Sequence, residues 1–296
     1  MKKIIKYIAL LPAVWLLAPA CQKESPAPDK DDTGTVKIQV KASLPEVKSV
    51  SVTELGVDLI YLYAIDEYGT IITTTPPDSY NGNTYNYTVP ADTYFMVFSN
   101  STSYSSGSDD AIISFIPMYA DSGLTQDTVT GSCYFSEIDE NGNLSLHLSR
   151  RTAKLTADIQ ILDYNGNPTD VFQSMIYAGI DFQPMYGEYV YKTDFSQTYS
   201  GEIAGGATGP ATAESAMSYR VCNDITFFPS VDGTTPSIHI FIQCYNNQWY
   251  EFNTTLGYPF EANKHYKLTI NVKMGRDGFG FTIDDIITEE ITVDLN

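Results

Sequence analysis

Histidines and paired carboxylates are the side chains of this sequence with the chemistry for a metal or catalytic site. The three histidines are His147, His239 and His265, and none has a second His or Cys at the spacing of a zinc ligand set. The pairs Asp284-Asp285 and Glu289-Glu290 have the residue type that glycoside hydrolysis requires, but adjacent acids near a terminus are more typical of a solvated surface. No Gly-x-Ser-x-Gly elbow, phosphate-binding loop or dinucleotide fingerprint occurs. We therefore predict no enzymatic activity, no metal and no cofactor.

Cys21 directly follows a segment that is typical of a secretory signal peptide. Residues 1–6 are positively charged, an apolar stretch runs from Ile4 to Ala18, and small residues occupy positions 18–20. The arrangement resembles the lipobox of bacterial lipoproteins, which implies that the Cys21 thiol is acylated, with palmitate as an acyl group. The lipobox prefers Leu where this chain has Ala18. An ordinary signal peptide, in which Cys21 is incidental, is the alternative.

The residues after Cys21 predict a flexible tether. Positions 22–34 are rich in Pro and charged side chains and contain no large apolar residue, so they bury too little apolar surface to offset the entropy of ordering them. We assign residues 1–20 to the signal peptide and 21–34 to the tether. Acidic residues close behind the cysteine resemble the surface-export signal of some outer-membrane lipoproteins. This implies a lipid-anchored protein of the cell outer membrane that faces outward.

The charge of the chain excludes one class of partner. The first 20 residues hold three of the 17 Lys and Arg and none of the 36 acids, so the remainder carries a formal charge of −22. Nucleic acids and anionic lipid head groups are bound through clustered basic residues. We therefore predict no nucleic-acid partner, and a membrane attachment that depends on the lipid.

Alternating hydrophobicity predicts an all-β fold. Val36, Ile38, Val40 and Ala42 alternate with polar residues, as in a strand with one solvated face. Val57–Ile65 is apolar at successive positions, which predicts a central strand buried on both faces. The usage of 22 Tyr and 14 Phe also suits pleated sheets. Many short strands at this spacing favour β-sandwiches.

Asp-x-x-Gly motifs predict turns between strands, and the distribution of basic residues predicts two domains. Asp66–Gly69, Asp139–Gly142 and Asp163–Gly166 each have Asp first and Gly fourth, which predicts a type I turn followed by a left-handed residue. The first Arg of the chain is Arg150, and we place the boundary there, between β-sandwiches at 35–149 and 150–296. Residues 200–218, rich in Gly, Ala, Ser and Thr, predict a long loop. Pro168–Gly179 is compatible with either a helical turn or a strand.

Thr128 and the later cysteines are candidates for covalent modification. Asp127-Thr128-Val129 matches the short acceptor pattern for O-glycosylation of some exported proteins. Cys133, Cys222 and Cys244 allow one disulfide with one thiol left over. Cys222 and Cys244 are able to pair if their strands are neighbours, and burial as small hydrophobic residues is the alternative for each.

Five features together resemble the fimbrillin superfamily of type V pili, and in particular the FimB/Mfa-type anchor and minor-subunit group. They are the start at Cys21 and the segments Leu59–Gly69, Val89–Asn100, Leu146–Ile159 and Asn263–Val272. The resemblance implies two tandem transthyretin-like β-sandwich domains, no enzymatic activity, and a role in a surface fimbria with other fimbrial subunits as partners.

The resemblance also implies assembly by strand donation, in which a clipped subunit loses a strand and a neighbour fills the groove. The candidate removable strand is Thr35–Ala42. The candidate donor is the terminal segment 289–296, with Ile291, Val293 and Leu295 facing inward. Stalk subunits are cut after Arg, and here Lys48 is the one suitably placed basic residue. This departure favours an uncut anchor over a stalk or tip subunit.

A surface glycan-binding lipoprotein is the alternative function. It predicts exposed coplanar aromatic side chains that bind a host or microbial glycan. The one Trp outside the signal segment is Trp249, so the sequence alone does not favour this alternative.

Overall fold

The computed structural model describes residues 34–43, 59–101, 104–105, 110–116, 127–169, 175–210, 212–215, 218–244, 249–274, 276 and 281–291. Within these ranges the chain is built almost entirely of β-strands, with short 3-10 turns at Phe135–Glu137 and Val231–Gly233. No helix in them is long and apolar enough to cross a membrane. The predicted all-β sandwich class is confirmed.

Twenty strands are described, and the first eleven come before residue 151. They are β1 (Thr35–Ser43), β2 (Tyr61–Ile65), β3 (Ile71–Thr75), β4 (Ser79–Asn81), β5 (Thr84–Pro90), β6 (Phe95–Ser99), β7 (Tyr104–Ser105), β8 (Ala111–Phe115), β9 (Val129–Tyr134), β10 (Asn143–His147) and β11 (Ser149–Arg150). The later strands are β12 (Ala153–Leu162), β13 (Met175–Lys192), β14 (Gln197–Pro210), β15 (Thr212–Ser215), β16 (Ser218–Phe227), β17 (Ser237–Cys244), β18 (Trp249–Thr255), β19 (His265–Met274) and β20 (Phe281–Ile291).

The first sandwich packs two sheets around one core. One sheet has the order β10-β1-β5-β4, and the other has the order β11-β9-β6-β2-β3. Inward side chains from both sheets, including Val36, Ile38, Leu62, Tyr87 and Phe98, make one buried hydrophobic cluster. Because successive side chains of a strand point to opposite faces, the polar residues between these positions face outward.

The second sandwich repeats this plan with longer strands. One sheet has the order β15-β16-β12-β19-β20, and the other has the order β18-β17-β13-β8-β7 with β14 also paired to β13. Their inner faces bury Leu155, Ile159, Ile180, Ile240 and Ile270 in one cluster. The undecided segment Pro168–Gly179 therefore ends in strand, since β13 begins at Met175.

The two sandwiches are joined by a shared layer. Strand β8 belongs by sequence to the first half, yet it pairs with the end of β13 at Tyr189–Lys192. Tyr63 and Ile65 of β2 pack against Ile113 and Tyr191 in a third buried cluster. Since Leu62 lies in the first core and Tyr63 in the shared layer, β2 is buried on both faces, as its apolar sequence predicts. The boundary near residue 150 stays a prediction.

The three Asp-x-x-Gly turns form as predicted. Gly69, Gly142 and Gly166 have φ values of 82°, 79° and 86°, the left-handed region in which glycine carries no Cβ penalty. In each turn the Asp carboxylate accepts backbone N–H groups two and four residues later, for example from Asn141 and Asn143 onto Asp139. These hydrogen bonds lower the pKa of the exposed Asp139 carboxyl.

The predicted loop at 200–218 is wrong. Its first half belongs to β14, which pairs with β13 from Tyr177 to Tyr191. A Cβ at Gly205 would collide with the ring of Phe182, and one at Gly206 would collide with the carboxylate of Asp181. The glycines therefore make room for bulky neighbours on β13, and composition alone does not distinguish this use from a loop.

Candidate functional site

The removable strand predicted from the sequence is an interior strand of its sheet, next to the edge strand β10. β1 pairs antiparallel with β5 over Thr35–Lys41 and parallel with β10 over Gln39–Ser43. Val36, Ile38, Val40 and Ala42 are each no more than 2% exposed, whereas the residues between them are exposed. Its removal would leave a groove between β5 and β10 with two open backbone edges.

Aromatic side chains line one side and the floor of this groove. Tyr85 and Tyr87 of β5 are fully buried, and the Tyr87 ring packs edge-on against Phe98, with 5.8 Å between ring centroids. The Tyr87 hydroxyl donates to the Ile60 carbonyl at 2.7 Å. Burial raises the pKa of Tyr85 to about 12, with a smaller contribution from Tyr80, and burial also raises the pKa of Tyr87. A strand that fills the groove therefore covers a rigid, apolar floor.

Backbone and side-chain contacts hold both ends of β1. At the start, the Ala91 amide donates to the Gly34 carbonyl at 3.0 Å. At the end, the Leu148 amide donates to the Ser43 carbonyl at 2.7 Å, and Ser43 Oγ lies 3.0 Å from His147 Nδ1. His147 is thus a neighbour of β1.

The candidate donor segment begins inside the second sandwich. The backbone of Glu289, Glu290 and Ile291 pairs with β19, where Ile291 lies opposite His265. Val293 and Leu295 lie outside the described residues, as do Cys21 and Lys48. The lipidation, protease and donor assignments therefore stay predictions.

The other two histidines lie apart from each other and from β1. His239 lies between the carboxylates of Asp181 and Glu251, with nitrogen–oxygen distances of 3.6 and 3.7 Å. His265 Nε2 lies 3.1 Å from the hydroxyl of Thr156. Each histidine therefore has its own local polar partner.

Sequence reasoning missed an ion cluster between the sandwiches. The Asp127 carboxylate lies 3.3 Å from Arg150 Nη2 and 3.2 Å from Lys154 Nζ, and it accepts a hydrogen bond from Thr152 Oγ1 at 3.2 Å. The side chains of Asp127 and Arg150 are only 9% and 4% exposed. The one indication in the sequence was Arg150, the first Arg of the chain, which lies at the predicted boundary between the two sandwiches.

Thr128 is 3% exposed, so the folded chain does not present it for glycosylation.

Cys133 and Cys222 are buried. Burial raises the pKa of the Cys133 thiol, and Cys222 Sγ lies 3.9 Å from the Leu155 carbonyl. Cys222 is on β16 and Cys244 is on β17, and these strands belong to different sheets. The two strands are therefore not hydrogen-bonded to each other, and the disulfide considered from the sequence stays a prediction.

Sheet order and strand pairing define the class of protein: an all-β protein of two joined sandwiches. In each sandwich the first strand pairs in parallel with a strand from near the end of that half, β1 with β10 and β12 with β19. The fimbrial anchor protein Mfa2 from Porphyromonas gingivalis has a similar structure, with a TM-score of 0.53 and 9% identity over 86% of this chain and 97% of its own. An adhesin candidate from Bacteroides thetaiotaomicron gives a TM-score of 0.56 and 10% identity over 85% and 95%. A second, from Bacteroides ovatus, gives 0.53 and 12% over 90% and 97%.

No protein-family model and no curated protein matches the sequence. At about one identical residue in ten, the solved structures establish the fold alone. The predicted resemblance to fimbrial proteins is therefore confirmed at the level of the fold.

Proposed function

We propose that this chain is a non-enzymatic subunit of a surface fimbria, and that it assembles with other fimbrial subunits by strand donation. The observation that carries the proposal is the position of β1, which lies between β5 and β10 with four alternate side chains in the core. The fold shared with the fimbrial anchor Mfa2 supports it. Exchange at such a groove needs backbone hydrogen bonds on both edges and pockets for alternate side chains.

The energetics of the groove make an empty site unstable and a filled one stable. Burial of Val36, Ile38 and Val40 contributes about 1.5–3 kcal/mol for each side chain. The backbone amides of β5 and β10 that face β1 also need partners, since an unpaired buried polar group costs about 1–3 kcal/mol. An emptied groove therefore favours a replacement strand with apolar residues at every second position.

Within the fimbria, we propose that the chain is the membrane-attached anchor. Cys21 would carry the lipid at the outer membrane, and β1 would stay attached because no Arg precedes Arg150. The pairing of Glu289–Ile291 with β19 occupies the start of the candidate donor. An anchor needs no donor of its own, so the pairing of these three residues within their own sheet suits that role.

The native N-terminus distinguishes an anchor from a minor subunit that is cut. Mass spectrometry of the protein purified from its own cells should find an acylated Cys21 as the first residue. A first residue shortly after Lys48 would show removal of β1 and would replace the anchor by a stalk or tip subunit.

Strand exchange itself can be tested on the full chain with a protease recognition sequence in place of residues 45–50. After cleavage, a fluorescent peptide with the sequence of Thr35–Ser43 should replace β1 and co-migrate with the protein in size-exclusion chromatography. A matched peptide with Ile38→Asp and Val40→Asp should not bind, because it would bury two carboxylates. Failure of the first peptide to bind, or equal binding of both, would contradict a groove for strand donation.

A further inference from the structure

The outer face of the second sandwich carries a cavity that the fimbrial role does not use. It has a volume of about 390 Å³ and lies over strands β14, β13, β17 and β18. Ile180 and Ile240 point into the core, and Asp181 and His239, which are adjacent to them in sequence, point outward. The cavity is therefore built on a rigid sheet and not on a loop.

The polar wall of the cavity offers both hydrogen-bond donors and acceptors. Asp181 and His239 are cross-strand partners, and Asn253 is the next partner of His239 on β18. The imidazole lies 3.6 Å from the Asp181 carboxylate and 3.7 Å from that of Glu251. Gln183 adds an amide at the other end. Such a set of carboxylate, imidazole and amides pairs with hydroxyl groups, which donate and accept at once.

Two aromatic rings continue the surface from this wall. The centroid of Phe241 lies 5.7 Å from that of His239 and 6.1 Å from that of Trp249, and the Phe241 and Trp249 planes are inclined at 42°. Phe241 covers Gly179, where a Cβ would collide with the ring. Trp249 is 49% exposed. The inclined rings form a shallow trough, which differs from the coplanar platform that the alternative function predicts.

The charges of the site limit its ligand. None of the residues that line the described cavity is Lys or Arg, so it lacks a permanent positive charge to bind a phosphate, sulfate or uronate. Its two carboxylates already lie beside His239, and its amides donate as well as accept. Ligand sites combine apolar and aromatic walls with a few placed polar groups, and here both halves match the ring face and the hydroxyls of a sugar. We propose that this trough binds a neutral saccharide.

The chain contains its own reporter for this site. Trp15 and Trp249 are its two tryptophans, so the full chain with Trp15→Phe has a single fluorescent indole, at the trough. Titration with neutral hexasaccharides (of glucose in α- and β-linkage, mannose and xylose) should change the Trp249 emission in a saturable way for at least one of them. Tri-galacturonic acid and hexalysine are the anionic and cationic comparisons, and neither should saturate.

Variants connect the signal to the trough. Asn253→Ala and Asp181→Ala should each weaken the affinity about tenfold, as expected for loss of one or two good hydrogen bonds. Phe241→Ala should abolish saturation. Tyr164→Ala removes a tyrosine that is similarly exposed, at 50%, from a distant turn and should leave the affinity unchanged.

Circular dichroism shows whether each variant is folded, and Asn253→Ala, an exposed change, keeps the test valid if Phe241→Ala unfolds. Absence of saturation with every neutral hexasaccharide would overturn the proposal. So would tighter binding of hexalysine, or affinities that Asn253→Ala and Asp181→Ala leave unchanged. None of these outcomes depends on the groove at β1, so the proposed fimbrial role is tested separately.

Discussion

The two sandwiches of this protein use the same plan for their first strands but expose them differently. β1 lies between an antiparallel strand and a parallel late strand, β5 and β10, and β12 lies in the same way between β16 and β19. Among the described strands, β10 ends its sheet, whereas β19 is covered along its other edge by β20. Thus β1 is next to an edge strand of its sheet, whereas β12 is separated from each edge strand by one further strand.

The burial of the two strands differs in the same direction. β1 alternates between buried and exposed residues, and β12 is buried at eight of its ten positions. Ile38 therefore stabilises one core, while side chains on both faces of β12 are covered by protein. The difference favours β1 over β12 as the strand that the proposed exchange would release, because its removal disturbs one face and few neighbours.

The largest effect is expected where the sandwiches meet. Asp127→Ala leaves the buried guanidinium of Arg150 without a counter-charge, so the free energy of unfolding should fall by about 3–5 kcal/mol. Chemical denaturation monitored by circular dichroism measures it. Glu261→Ala breaks the exposed ion pair with Lys264 and should cost at most about 1 kcal/mol. Similar costs for both variants would show that the cluster does not join the two sandwiches.

Matched truncations in the two first strands test the comparison directly. Ile38→Ala and Ile159→Ala remove the same buried side chain, and each should cost about 2–5 kcal/mol. Hydrogen exchange measured by mass spectrometry should separate them. Faster exchange in Ile38→Ala should be confined to β1 and its two neighbours, and in Ile159→Ala it should extend through the second sandwich. The same spread in both would contradict a releasable β1.

Substitution of the equivalent turn glycines Gly142 and Gly166 should lower the free energy of unfolding by a smaller amount. Gly142 and Gly166 both have positive φ, so an alanine costs about 1–2 kcal/mol at either position. A Cβ at Gly142 would also lie 2.8 Å from the Lys37 carbonyl oxygen of β1, while the space at Gly166 is open. Gly142→Ala should therefore lower the free energy of unfolding by about 1 kcal/mol more than Gly166→Ala. Equal thermal stabilities would show that this turn does not support β1.

A buried tyrosine and a partly buried one give the smallest effect at neutral pH. The Tyr85 hydroxyl has no hydrogen-bond partner in the described structure, whereas the Tyr199 hydroxyl donates to the Arg151 carbonyl at 2.8 Å. Tyr85→Phe should leave the stability at pH 7 unchanged or slightly higher, and Tyr199→Phe should lower it by about 1 kcal/mol. Thermal melts at pH 7 measure both, and a larger loss in Tyr85→Phe would contradict the unpartnered hydroxyl.

The same tyrosines predict alkaline instability. Burial raises the pKa of both Tyr85 and Tyr199 to about 12, while an unfolded tyrosine titrates near pH 10. Between these values the unfolded chain binds fewer protons, so stability is complete below about pH 10 and falls as the pH rises toward 12. Denaturation midpoints at a series of pH values should fall less steeply in Tyr85→Phe. An unchanged slope would show that Tyr85 does not contribute.

Local patterns predicted the fold where the physics is local. The alternation of Val36, Ile38 and Val40 and the Asp-x-x-Gly turns depend on near neighbours in the sequence, and the structure contains both. The loop predicted at 200–218 failed because its glycines are placed by the rings and carboxylates of β13, which lie far away in the sequence. The pairing of β8 with β13 across the predicted boundary has the same origin.

The candidate site was predicted unevenly for the same reason. The strand Thr35–Ala42 was found from its own pattern, but its interior position in the sheet depends on β10, about a hundred residues later. Asp127 was interpreted as part of a glycosylation pattern, and its role depends on Arg150 and Lys154. The trough at Trp249 needs Gly179, Asp181 and His239 from two other strands, and no spacing in the sequence brings these together.

The position of β1 between two paired strands has a mechanical consequence. A pull on the chain ahead of Gly34 is directed along β1, whose hydrogen-bond ladders to β5 and β10 lie on both sides. Such a force loads the hydrogen bonds on both sides of β1 at the same time, in shear, and does not break them one after another. The strand that we propose to be exchangeable is therefore also the one that would resist tension on the domain when it stays attached.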